Sequence, residues 1–211
     1  GTTESQYRSL LEISMLQQAL QEKVAQPEDP TDEELLQYAQ MYATYYNGAK
    51  KSSHILFSSD DEVTAQEVLD RINSGELDFA EAAKEYSQDE GSKEDGGNVG
   101  WDKLTSFVDE YQTALDGLEE GQVSGLVTSS YGIHIIKCTQ VFNAPEEVTS
   151  TDQLPSEFMD SIKSTLEASA KQQAYSQWYQ DYKSNADIQI NDMPSGLAYD
   201  VSLDGIEPSS T

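Results

Sequence analysis

Two runs of helical periodicity bracket a central stretch patterned like strands, and neither run can bury its apolar face unaided. In residues 4–50, Ile13, Leu16, Leu20 and Val24 recur at three- and four-residue intervals, the spacing of an amphipathic helix. Pro27-Glu-Asp-Pro30 interrupts the pattern, and Thr31 with Glu34 reads as a capping box that starts a second helix. That helix carries Leu35, Tyr38, Tyr42 and Tyr45 on one stripe and ends near Gly48. After a connection rich in Pro, Glu, Thr and Ser at 144–155, Phe158, Ile162, Leu166, Ala170, Ala174, Trp178 and Tyr182 recur every four residues. A solitary helix with so much aromatic and aliphatic surface is unstable in water. The pattern therefore predicts one helical domain built from residues 1–50 and 143–190, with the chain between them inserted into it. Asp187 to Ile190 alternates like a small edge strand, and 191–211, with Gly, Pro and Ser and little apolar content, reads as a loose tail.

In the inserted segment, 51–142, the pattern changes. Ser53 to Phe57 reads as a strand. A helix follows from a Ser59/Asp60 cap, with Ala65, Val68, Leu69 and Ile72 on its buried stripe and Gly75 at its end. Asp78 caps another, whose inner face is Phe79, Ala82, Ala83 and Tyr86. A polar loop from Gln88 to Asn98 leads to a short strand at Val99–Trp101 and a helix over Thr105–Leu118. Leu126–Ser129 and Ile133–Val141 form a closing hairpin about Ser130-Tyr131-Gly132. The order is strand, helices, strand, helix, two strands, an α+β arrangement of roughly 90 residues.

Lys and Arg total 12 against 39 for Asp and Glu, a formal charge of -27 over 211 residues. A field of that sign repels phosphate backbones and anionic headgroups, which argues against nucleic acid and membrane surfaces as partners. It suits a solvated surface and attracts cationic polypeptide segments. The single cysteine, Cys138, rules out an intramolecular disulfide. No run of about 18 apolar residues offers a membrane span. No signal peptide is legible, and Gly1-Thr-Thr-Glu is the abrupt start expected where a targeting segment has been removed.

Only two histidines occur, His54 and His134, each inside a short apolar run. Imidazole donates or accepts hydrogen bonds at neutral pH. Two rings in the strands best suited to pair predict a polar network within a sheet. Duller readings stand beside this one: the pair simply holds strands together, Asp89 caps its loop, and Phe107 and Tyr111, four apart, are ordinary helix core. Two His and one Asp without H-x-x-x-H or C-x-x-C make no zinc motif. The Gly96-Gly97 pair falls short of a phosphate-binding loop, and no G-x-S-x-G nucleophile motif occurs. Cys138 lies about 13 Å along a strand from His134 and reads as a buried, inert thiol.

Residues 52–142 resemble the parvulin family of peptidyl-prolyl cis/trans isomerases. The resemblance rests on Ser53-His54-Ile55-Leu56, the run from Asp78 to Ser87, the run from Asp95 to Trp101, Glu120 to Ser124, and Ser130 to Lys137, in that order. The flanks, Pro30 to Leu35 and Trp178 to Ile190, are similar to those around the parvulin unit in bacterial extracytoplasmic foldases of the PrsA and SurA kind. The resemblance implies a four-stranded antiparallel sheet with surrounding helices, inserted into an all-helical chaperone-like domain. It implies rotation of X-Pro bonds with no cofactor and no metal, in unfolded or partly folded exported polypeptides. It also implies a place outside the cytoplasm, as a lipid-anchored protein at the surface of a Gram-positive cell.

The family's two core histidines fall on His54 and His134, its cysteine-or-aspartate position on Asp89 and a nearby hydroxyl on Ser129. Its proline pocket falls on Val99, Phe107 and Tyr111. Family members commonly have Met where Phe107 stands and Phe where Tyr111 stands, so a bulkier ring and an added phenol are expected to narrow or polarise the pocket. Ionised, Asp89 only accepts hydrogen bonds; it donates only if its pKa is raised, and the sequence leaves both roles open. The competing reading is a parvulin-fold chaperone that binds unfolded clients without isomerase turnover.

Overall fold

The computed structural model describes residues 3–187. They divide into two compact units, one of residues 27–171 and one that joins the chain up to residue 26 with the chain from residue 172. In the smaller unit, α1 (Glu4–Val24) starts from a capping box of Thr3 with Gln6 and contains no buried residue. Ile13, Leu16 and Leu20 are exposed there. The edge strand expected at 187–190 lies, apart from Asp187, outside the described residues, as does the tail expected at 191–211.

The larger unit begins with α2 (Asp32–Tyr46). Its capping box is as the sequence predicts: the Glu34 amide donates to Thr31 Oγ1 (3.2 Å), and the Thr31 amide donates to Glu34 Oε2 (2.9 Å). Thr31→Ala removes the acceptor for the Glu34 amide, and thermal denaturation is expected to register a loss of about 1 kcal/mol. A loss indistinguishable from that of an exposed control substitution would show that the box is idle.

A single antiparallel sheet follows, with strands β1 (Lys50–Phe57), β2 (Asn98–Trp101), β3 (Val123–Ser129) and β4 (Gly132–Val141) in the spatial order β2-β1-β4-β3. The register decides what each face carries. Ile55 pairs with Ile135 and Phe57 with Ile133, while His54 pairs with Ile136 and Leu56 with His134. Because side chains alternate along a strand, the isoleucines Ile55, Ile133 and Ile135, with Phe57, share one face and both histidines share the other. The first face packs on Ala65, Val68 and Leu69 of α3 (Glu62–Asn73) and Phe79, Ala82 and Ala83 of α4 (Phe79–Tyr86). The second packs Ile136 and Cys138 on Tyr111 and Leu115 of α5 (Asp109–Asp116). A third cluster joins Ala39, Ala43 and Tyr46 of α2 with Phe158 and Ile162 of α6 (Ser156–Asn185), whose residues 156–171 belong to this unit. The rings of Tyr46 and Phe158 stack at 4.0 Å.

Three boundaries differ from expectation. The N-cap of α3 is Asp61 rather than Ser59/Asp60, and no side chain caps it. β3 starts three residues early, at Val123, across a register shift where the Ile136 amide donates to Ser124 Oγ instead of a backbone carbonyl. The helix expected over 105–118 spans only Asp109–Asp116. Its first residues are taken by a turn after β2, where the amides of Leu104 and Thr105 both donate to the Trp101 carbonyl. The β-branched Thr105 and Val108 have little helix preference to oppose that turn.

Candidate active site

The second face of the sheet turns the two histidines into a single network. His54 Nδ1 and His134 Nδ1 lie 3.2 Å apart, and both rings are buried. His54 Nε2 lies 2.8 Å from Asp89 Oδ2, and His134 Nε2 lies 2.7 Å from Ser129 Oγ. The local sequence explains Asp89's position. It closes a tight turn in which the Gly91 amide donates to Oδ1 (3.1 Å) and the Ser92 hydroxyl donates to Oδ2 (2.5 Å). At the far end, the Tyr131 amide donates to Ser129 Oγ (3.1 Å).

The ionisation of Asp89 and His134 sets which groups can donate at the two ends of the chain. Burial raises the carboxyl pKa of Asp89, but the hydrogen bonds from Ser92, His54 and Gly91 outweigh it and hold the pKa below its ordinary value. Asp89 is therefore ionised and accepts only. Burial, reinforced by the neighbouring His54 ring, pushes His134 down to about 4, so His134 is neutral at pH 7. His54 Nε2–H must donate to Asp89. His54 Nδ1 and His134 Nδ1 share one hydrogen bond, and His134 Nε2 and Ser129 Oγ share another, each with its donor set by the tautomers of the rings. The chain of hydrogen bonds is unbroken from Ser129 to Asp89.

Beside this network lies a cavity of about 280 Å³ lined by His54, Asp89, Val99, Phe107, Tyr111 and His134, with Leu56, Ser106, Val108 and Tyr131. The structure thus brings together all seven residues singled out in the sequence, six on the cavity wall and Ser129 behind His134. Phe107 precedes α5 rather than lying in it, yet its ring meets that of Tyr111 at 4.6 Å. The Tyr111 phenol does not polarise the cavity. It donates to Ser52 Oγ (3.0 Å), in a buried position that raises its pKa and keeps it protonated. Sequence reasoning missed Ser92 and Tyr131. Ser92 carried a legible signal, since a hydroxyl three residues after a turn aspartate is placed to close that turn. Tyr131 carried none, because nothing in a hairpin tip says which way its side chain leaves. It is 70% exposed at the cavity rim.

Four antiparallel strands with two histidines joined across the central pair, beside an apolar cleft, define a domain of the parvulin type. Residues 54–140 match the Rotamase family, described as a PPIC-type PPIASE domain, and this domain of the chain belongs to that family. It is 40% identical over 151 residues to Foldase protein PrsA 3 of Bacillus anthracis, covering 70% of this chain and 50% of that one. It is 33% identical over 148 residues to Chaperone SurA of Alkalilimnicola ehrlichii, covering 66% and 32%. The crystal structure of PrsA from Bacillus subtilis aligns with a TM-score of 0.48 at 28% identity, covering 88% of this chain and 66% of that chain. The chain spans about half the length of the PrsA relative first named, 50% of it.

Proposed function

We propose that residues 51–142 catalyse cis/trans isomerisation of X-Pro bonds, with His54, Asp89, His134 and Ser129 as the polar machinery and Val99, Phe107 and Tyr111 as the proline pocket. One observation carries the reading: an unbroken hydrogen-bond chain ends on a carboxylate in the wall of a cavity whose remaining lining includes Leu56, Val99, Phe107 and Val108. Rotation about the bond crosses a barrier of about 18–20 kcal/mol set by amide resonance and takes tens to hundreds of seconds unaided. No proton moves and no bond breaks. The resonance form responsible for the barrier puts negative charge on oxygen and positive charge on nitrogen. An apolar wall disfavours that charge separation, and the fixed negative charge of Asp89 beside the oxygen disfavours it further. Both effects favour the twisted amide over either planar isomer. The histidines hold Asp89 at that place and orientation.

The helical segments 1–50 and 143–190 extend the proposal to a foldase that holds unfolded exported polypeptides while the domain turns their X-Pro bonds. The foldase and chaperone names of the relatives support this, as does the core that joins α2 to the start of α6. We place the protein outside the cytoplasm, which the foldase and chaperone relatives support, and propose a lipid anchor at a Gram-positive cell surface on the sequence resemblance alone. The test is the rate of a short X-Pro peptide in a protease-coupled assay, on the wild type and on His54→Ala, His134→Ala and Asp89→Ala. The wild type accelerates the reaction, and each variant that retains its fold by circular dichroism loses about tenfold or more, the equivalent of ~1.4 kcal/mol of barrier. A wild type that suppresses aggregation of an unfolded client without accelerating the peptide would replace the isomerase by a holdase.

A further inference from the structure

The terminal torsion of an aspartate side chain is soft, so the orientation of the Asp89 carboxylate is set by its partners. Oδ1 accepts from the Gly91 amide (3.1 Å), within the same turn. Oδ2 meets two donors, the His54 ring at 2.8 Å and the Ser92 hydroxyl at 2.5 Å. Ser92 is buried, and its backbone is tied on both sides. Its amide donates to the Asp89 carbonyl (3.2 Å), and its carbonyl accepts from the Gly97 amide (2.9 Å). The Gly97 carbonyl in turn accepts from the His54 amide (2.8 Å). The circuit closes: His54 meets Asp89 through its ring and reaches Ser92 through its backbone. Ser92 therefore shares one frame with both partners of the bond at Oδ2.

We infer that Ser92 is a positioning residue for the isomerisation, fixing the Asp89 carboxylate in the orientation from which it acts on the twisting amide. This role rests on the isomerase reading of the cavity. A hydroxyl suits it because it stabilises the carboxylate without cancelling its charge. An ammonium or guanidinium at the same place would neutralise the field that disfavours the planar amide. Lys93, the basic residue of the loop from Gln88 to Asn98, is bound instead to Glu90 (2.6 Å). The titratable groups that share the cavity wall with Asp89 are His54 of β1, His134 of β4, Tyr111 of α5 and Tyr131 of the β3–β4 turn. Burial raises the carboxyl pKa of Asp89, and the Ser92 hydrogen bond is the largest of the contributions that overcome it. Without that hydroxyl Oδ2 keeps one donor, the carboxylate turns more freely, and protonation becomes easier. Because Asp89 works by disfavouring the planar amide, its misplacement lowers kcat without raising KM.

Exchange NMR on the 211-residue chain with a capped Ala-Ala-Pro-Phe peptide gives kcat and KM at neutral pH for the wild type, Ser92→Ala and Ser92→Thr. The carbon-13 shift of the Asp89 carboxyl group in the same labelled proteins follows its own titration, separately from that of His134. Ser92→Ala keeps the backbone bonds of residue 92, so the loop and the sheet stay assembled, which circular dichroism checks. Its kcat is expected to fall by about tenfold, the loss of one hydrogen bond to a charged group. Its KM is expected to be unchanged or lower, and its Asp89 midpoint to move to higher pH. Ser92→Thr restores the hydroxyl and, with it, both kcat and the midpoint. A serine that merely fills space would leave kcat and the carboxyl midpoint of folded Ser92→Ala at their wild-type values, and that result overturns the inference. A raised KM with kcat unmoved overturns it as well. If the wild type accelerates no peptide, the isomerase reading fails by itself, and the carboxyl midpoint still decides whether Ser92 holds the charge of Asp89.

Discussion

Gly97→Ala is expected to destabilise the domain by at least about 3 kcal/mol. Gly97 lies in the left-handed region at φ +77, and a Cβ there would stand 2.1 Å from the His54 carbonyl oxygen. The obstruction is backbone on both sides, so no side chain can swing away to relieve it. The peptide units are also bonded to each other and to the site. The His54 amide donates to the Gly97 carbonyl (2.8 Å), and the Gly97 amide donates to the Ser92 carbonyl (2.9 Å). Relief of the clash separates β2 from β1 and draws Ser92 off Asp89, so the site loosens along with the sheet. Gly125→Ala is the matched control: nothing lies within 4 Å of its Cβ position, and its backbone angle is open to any residue. Urea denaturation should leave Gly125→Ala within about 0.5 kcal/mol of wild type. A Gly97→Ala protein with the wild-type midpoint would refute the close approach of the loop to β1.

Acidification from pH 6.5 to about 4 is expected to remove about 3 kcal/mol of folding stability through His134 alone. The cause is burial, with the adjacent His54 ring, which lowers the pKa of His134 from 6.5 to about 4. Between those values the unfolded chain binds a proton at this residue and the folded chain does not. Stability is thus fully present above pH 6.5 and is lost as pH falls to about 4, at about 1.36 kcal/mol per pH unit. Asp89 adds to the loss with the same sign at lower pH, since its folded pKa is also depressed. The other carboxylates in their ordinary range stay ionised through most of the upper window, so the slope between pH 6.5 and 5 reports histidine. Urea midpoints at intervals of half a pH unit check this. His134→Gln, which keeps hydrogen-bonding capacity but does not titrate, should flatten that slope. An unchanged slope in His134→Gln would assign the acid sensitivity elsewhere.

How far these features were legible in the chain depends on whether their cause is local. Thr31 with Glu34 and Asp78 with the amides of Ala80 and Glu81 form their caps within four residues, and both were readable. β1 and β4 were readable because their apolar runs are long. The histidine pair followed, since two strands of one antiparallel sheet bring residues eighty positions apart into contact. What failed was decided by distant neighbours. The start of α5 yields to a turn held by the Trp101 carbonyl. The Tyr111 hydroxyl turns to Ser52, fifty-nine residues away, and no pattern near Tyr111 announces that. The start of β3 depends on Ser124 supplying a side-chain acceptor where the ladder shifts, which breaks the alternation that marks a strand. Ionisation of Asp89 was open in the sequence because it depends on the count of donors around it, and three donors close that question.

The central claim is that this one cavity both binds the proline and speeds its rotation. Exchange spectroscopy of a capped Ala-Ala-Pro-Phe peptide with the isotope-labelled protein measures the two together, since cis/trans exchange is read on the peptide and binding on the protein amides. The account predicts exchange far faster than in buffer, with the largest shift changes at Val99, Phe107, Tyr131 and the two histidines. Exchange at the buffer rate, or fast exchange with the shifts confined to surfaces away from these residues, would contradict it.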